Sequence, residues 1–263
     1  MKPNLQTATH KPAGDAVVAG KHGAPLISDA KLVELHAALR RATSASVKPN
    51  GAASSAANIR FPAVYASLLA DLAPHDRIAA DIPLHLAPFA LGSPLELTPS
   101  VATGLALGLA QHHPGSLVIA FTRAGSLPTD AFRQTLRLAA RHHAPILYVL
   151  LPAPAAPSPF DWSARAIRDN VPCIPVDAHD AVALYRVAQE TTLRARNQGG
   201  PSLIDCKQVQ FARGDLNPVA RMEAHLRRKG LIPATVEPAS NTRFSLSPNL
   251  ARTTARPDQT GYR

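Results

Sequence analysis

Two short apolar runs end in residues that could meet a ligand. Leu117–Phe121 runs into Thr122, Arg123, Ala124 and Gly125, and Ile146–Leu151 runs into Pro152. Residues that follow a buried strand sit where parallel sheets bind ligands, at the carboxyl ends of the strands. These two ends offer an arginine and a proline. Arg123 could pair with an anionic ligand directly, because a guanidinium fork matches an oxyanion. The alternative is an exposed arginine at a strand end.

Other chemistry-bearing groups are spaced less usefully. His112-His113 and His142-His143 are adjacent pairs, whose rings diverge on a helix. Shared metal ligation would favour i,i+4 spacing, so a surface role is expected. Arg133, Arg137 and Arg141 share a helix face, read as a solvated stripe or a contact for an acidic partner. Asp177, His179 and Asp180 cluster, but Asp180 is expected to cap a helix. No serine lies in a nucleophile-elbow motif. Cys173 and Cys206 are the two cysteines, too few for a disulfide framework, and read as thiols in a reducing compartment. The expectation is no catalytic residue and no metal ligand.

The elements that must hold these groups alternate. Ser28 caps a helix with Leu32, Leu35 and Leu39 on one face. Pro62 opens a helix carrying Tyr65, Leu68, Leu69 and Leu72. Thr98-Pro99 opens the next, and Thr129-Asp130 another with Phe132, Leu136 and Ala140 inward. Asp180 caps a helix to about Arg196, and Asn217-Pro218 opens a last one with Val219, Met222 and Leu226 inward. Between them lie Leu117–Phe121, Ile146–Leu151, Cys173–Val176 and Ser202–Cys206, short runs without strict alternation, as strands buried on both faces require. The expected fold is α/β, a parallel sheet covered by helices on both faces. Residues 27–235 should form the domain. Disordered tails are expected at 1–26 and 236–263, with flexible stretches at 44–57 and 152–159.

Composition narrows the classes. The 263 residues are 46% hydrophobic, enough for a core. The start has no apolar stretch of signal-peptide length, and no apolar run is of spanning length, so a soluble, cytoplasmic protein is expected. The net charge is +10, of which each expected tail contributes +2. The remaining +6 is spread rather than blocked, and aromatics are only 5%. That argues against nucleic-acid binding.

Several stretches, in order, resemble one family. Ala63 to Ile78 is similar to its helix and following "D-x-I" turn. Leu97 to Ala110, with Gly104 and Gly108, is similar to its glycine-spaced helix. Val176 to Tyr185 resembles its "V-D-G-N-D-V" element, Arg194 to Asp205 its "A-R-x-G-x-G-P-x-L-I-E" element, and Asn217 to Leu231 its C-terminal helix. The family is the alpha subunit of the decarboxylating component of 2-oxo acid dehydrogenase complexes, the pyruvate dehydrogenase type. The resemblance covers about residues 26–235 and implies a thiamine diphosphate-binding fold of the diphosphate-domain type. It implies thiamine diphosphate and magnesium as cofactors, and a beta-type subunit supplying the pyrimidine domain or a homo-oligomer as partner. Gly104 and Gly108 either pack against the chain's own sheet or form a subunit interface.

The resemblance also marks departures. Its first strand should end in Gly-Asp-Gly and its second in Asn-Asn, the magnesium ligands. The counterparts are Thr122, Arg123, Ala124 and Gly125 at the first site and Pro152 at the second. A loop with a diphosphate-side histidine is replaced by Gln208–Gly214, and "G-Q-E-A" by about Arg60–Ala63. The expectation is an alpha-subunit-like protein with a degenerate cofactor motif, not catalytic alone. The alternatives are a structural or regulatory subunit, an enzyme completed by its partner chain, and a basic accessory protein for an acidic partner or nucleic acid.

Overall fold

Seven helices and six strands lie along the described chain, alternating one by one from the third helix onward. The computed structural model describes residues 27–45, 61–84, 86, 89, 91, 93–125, 127–152, 161–208 and 217–233. The expected tails, most of the stretch 44–57, the stretch 153–160 and the shortened loop after Gln208 lie outside these residues.

The helices are α1 (Asp29–Ala45), α2 (Pro62–Leu68), α3 (Pro99–His112), α4 (Thr129–Arg141), α5 (Trp162–Arg168), α6 (Ala181–Arg196) and α7 (Pro218–Arg228). The strands are β1 (Arg77–Ala80), β2 (Leu95–Glu96), β3 (Val118–Arg123), β4 (Ile146–Leu151), β5 (Cys173–Asp177) and β6 (Ser202–Lys207). The caps read from the sequence hold. Ser28 Oγ accepts from Lys31 N, Asp180 from Val182 N and Ala183 N, and Asn217 from Val219 N and Ala220 N. Each satisfies backbone donors that a helix start leaves unpaired. On α4 the inward stripe is Phe132, Thr135, Leu136 and Ala139. Ala140, expected inward, is half-buried.

The strands form one parallel sheet in the order β2-β1-β3-β4-β6-β5. The pleat sends alternate side chains to opposite faces, and both faces are covered. Ile119, Phe121, Leu147, Val149 and Ile204 meet α1, α2, α6 and α7. Val118, Ala120, Ile146, Tyr148 and Leu203 meet α3, α4 and α5. On that second face Phe132 sets its ring edge-on to Tyr148 and to Trp162. The Tyr148 hydroxyl is 2.6 Å from Thr103 Oγ1, and Trp162 Nε1 donates to Ala124 O at 3.3 Å. So a buried aromatic cluster props the turn that follows β3, with its polar atoms satisfied.

The sheet ends at β5. Pro172 O and Ala178 N bond to β6, so even-numbered residues between them face β6 and Pro175 faces outward. A residue without an N–H is tolerated there, because the outer side of an edge strand has no ladder to complete.

Gly104 and Gly108 do not pack on the sheet. A Cβ at either would meet nothing within 4 Å, and Val101 on the same helix is 55% exposed. Close packing within the chain, one of the two readings of these glycines, is thereby corrected. The missing side chains face away from the core.

Candidate functional site

The ends of β3 and β4 lie side by side. Arg123 is in register with Leu151, and Ala124 N donates to Leu151 O at 3.2 Å. The turn of Thr122, Arg123, Ala124 and Gly125 and the residue Pro152 therefore share the carboxyl end of the sheet, as the alternation of elements requires. Arg123 follows Phe121 by two residues on the face covered by α2. Burial pushes the Tyr65 phenol upward, the neighbouring Cys206 adds to this, and the positive charge of Arg123 opposes it. Tyr65 also packs on Phe121, with ring centroids 5.5 Å apart. Thr122 is fully buried on the other side.

One carboxylate reaches this edge that the sequence reading missed. Asp81 follows β1, and its Oδ2 accepts a hydrogen bond from Thr122 Oγ1 at 2.7 Å. Asp81 N also donates to Phe121 O at 3.4 Å. Beyond it opens a cleft of about 540 Å³ at the ends of β1 and β2, with Asp81, Glu96, Ser93 and Thr98 among its walls. Recognising Arg77–Ala80 as a strand would have placed Asp81 at a strand end. Among the described residues, no group of three or more His, Cys, Asp or Glu side chains is placed to hold a metal ion.

The cluster after β5 is a clamp. Arg221 on α7 reaches Asp177 Oδ2 at 2.5 Å and Asp180 Oδ2 at 3.1 Å, while Asp180 Oδ1 caps α6. His179 is buried, edge-on to Phe61, and its Nδ1 stands 3.5 Å from Asp177 Oδ1. These groups tie α6 and α7 to the end of β5.

The arginine stripe on α4 is not simply solvated, which corrects the reading from spacing. Asp169, with a side chain 1% exposed, accepts from Arg133 Nε at 3.1 Å, Arg133 Nη2 at 3.3 Å and Arg137 Nε at 2.7 Å. Burial alone would raise this carboxyl. The two guanidiniums outweigh burial and hold it below the usual carboxylate range. Asp76 is also gripped by an arginine. Its side chain is fully buried, and it accepts from Arg196 Nη2 at 2.6 Å, Ala73 N at 2.7 Å and Leu117 N at 3.0 Å. His113 of one histidine pair stacks on His75, centroids 4.1 Å apart. Both cysteines are free thiols, and burial pushes Cys173 up to about 11, so it is protonated and unreactive at neutral pH. No described helix is long and apolar enough to cross a membrane.

Residues 89–213 match the family model described as the dehydrogenase E1 component. The chain is 32% identical over 115 residues to the alpha subunit of acetoin:2,6-dichlorophenolindophenol oxidoreductase of Bacillus subtilis, covering 41% of this chain and 34% of that one. The subunit of the same name from Cupriavidus necator is 32% identical over 116 residues, covering 41% and 35%. The pyruvate dehydrogenase E1 component subunit alpha of Staphylococcus aureus is 28% identical over 118 residues, covering 42% and 32%. The matched segment thus spans about a third of each relative. Among solved structures, a Mycobacterium smegmatis chain described as thiamin diphosphate-dependent superposes with a TM-score of 0.41 at 19% identity, covering 55% of this chain and 31% of its own. This chain therefore resembles the alpha subunit of the dehydrogenase E1 component, on the segment that builds α3, β3, α4, β4 and the elements up to β6.

Proposed function

We propose that this chain, with its dehydrogenase E1 component segment, is a cytoplasmic alpha-subunit-like scaffold that has lost the magnesium–thiamine diphosphate site and does not catalyse alone. The observation that carries the reading is the pairing of Arg123 with Leu151, the residue before Pro152, at the carboxyl end of the sheet. A magnesium ion needs near-octahedral oxygen ligands. The end of β3 brings a guanidinium, which repels a divalent cation, and Pro152 brings a backbone carbonyl alone. The nearby carboxylate, Asp81, is engaged by Thr122. This donor set does not fit the metal-bridged cofactor, and no step is derived through it.

Calorimetry on the purified full chain tests this. Thiamine diphosphate should bind weakly, with no gain from magnesium, and an Arg123→Asp, Pro152→Asn double variant should recover magnesium-dependent binding only in part. Micromolar, magnesium-dependent binding by the unmodified chain would overturn the reading.

Asp81 favours a second reading, in which a beta-type subunit with a pyrimidine domain completes a working site around that carboxylate. Turnover of a 2-oxo acid by the reconstituted pair, lost in Asp81→Asn, would establish it. In either case the outward face of α3 at Gly104 and Gly108 is the proposed subunit contact, because it exposes apolar surface without side-chain bulk. Gly104→Leu should weaken self-association or partner association in sedimentation analysis. A wild-type chain that stays monomeric at high concentration, alone and with a beta-type subunit, would remove this interface.

A further inference from the structure

The opposite end of the sheet carries a second candidate site. Before β4, β5 and β6, the helices α4, α5 and α6 come to their ends around one cleft of about 590 Å³. That volume falls in the range of about 300–1,000 Å³ typical of small-molecule pockets. Its walls include Arg137 and Arg141 from α4, Arg168 from α5, Arg194 from α6, and His143. The chain leaves the helices through left-handed residues, His143 at φ 49°, Asn170 at φ 59° and Gln198 at φ 59°, with Gly200 at φ 81°.

Helix ends attract cations, so some of these arginines have a structural reason. Each helix C-terminus carries about half a negative charge, so three ends and the carboxylate of Asp169 amount to roughly 2.5 negative charges. Against them stand Arg133 on Asp169 and the four arginines of the cleft wall. A clear positive excess remains. Three of the four are tied to the chain. Arg168 Nε donates to Ala164 O at 3.2 Å. Arg137 Nε is fixed on Asp169 Oδ1 at 2.7 Å while its side chain stays 59% exposed. The stem of Arg194 lies across the Gly199 turn, where a Cβ would fall 2.6 Å from Arg194 Cγ. Glycine at 199 thus makes room for this arginine at the cleft wall.

We propose that this cleft binds a small ligand carrying two or more phosphate groups. Guanidinium forks match phosphate oxygens bidentately. Four of them from three helices suit several phosphates better than one carboxylate. Among the described lining residues His143 has the only aromatic ring, so the cleft reads phosphate rather than a stacked base. The site is distinct from the edge at Arg123, since it lies at the start of the strands and not at their ends.

The test is calorimetry on the full chain with inorganic tripolyphosphate and, separately, a sugar bisphosphate, at about 50 mM salt to limit screening. Either probe should bind saturably at one site, and weaken as salt rises. An Arg141→Gln, Arg194→Gln double variant should lose about tenfold or more in affinity, with its melting temperature unchanged without probe. Arg123→Gln, at the other end of the sheet, should bind as the parent does. Heats that do not saturate with either probe, unchanged affinity in the double variant, or loss in Arg123→Gln alone would each overturn the proposal.

Discussion

Two corners of the sheet handle charge in opposite ways. At the amino ends of the strands, Asp76 and Asp169 are buried carboxylates gripped by arginine, Asp76 by two backbone donors as well. At the carboxyl end of β1, Asp81 accepts one hydrogen bond from a threonine and stays exposed, while the clamp of Arg221 on Asp177 and Asp180 lies farther along, at the end of β5. The amino end is interlocked, so its charges belong to folding. The exposed carboxylate after β1 is loosely committed, which leaves it open to change without loss of the fold.

Substitutions at the two ends should separate these roles. The largest effect is expected for Asp76→Ala, which leaves Arg196 without its buried partner and Leu117 N and Ala73 N without an acceptor. Breaking such a pair costs about 3–5 kcal/mol, read by urea denaturation. Asp169→Asn comes next, at about 2–3 kcal/mol by the same measurement, because hydrogen bonding survives in part while the charge does not. Asp169 also sets a pH dependence. Its folded pKa lies below the unfolded value, so its stabilisation is complete above pH of about 4 and is lost as pH falls through the folded value. Acid denaturation of the parent should steepen below pH of about 4, and Asp169→Asn should flatten that limb. At the other end, Asp81→Ala should cost about 1 kcal/mol, by stranding the buried hydroxyl of Thr122. A loss for Asp81→Ala as large as that for Asp76→Ala would erase the contrast between the two corners.

What could be read from the sequence follows the range of the interactions. Strands β3 and β4 announce themselves by continuous apolar runs, β5 and β6 by shorter and more mixed ones, and three helix starts by their capping side chains. Strand β1 does not, since Arg-Ile-Ala-Ala has little strand propensity and becomes a strand only between β3 and β2. The seven residues of α5 lack the length for a clear period. The arginines of α4 looked solvated because Asp169 lies 32 and 36 residues away in sequence, and Asp81 was missed because it meets Thr122 across 41 residues. The positions of Arg123 and Pro152 were legible because a parallel sheet fixes where strand ends go. Gly104 and Gly108 were legible as a small-residue face, but not which way that face turns.

Pro175 has a consequence for how such a molecule can grow. With its imide nitrogen on the outer rim of β5, an incoming strand would find no donor there. Copies cannot readily zip rim to rim into a continuous ribbon through β5. Assembly is steered toward contacts between helical surfaces, which close on themselves as a pair where the contact is two-fold instead of running on as a fibre.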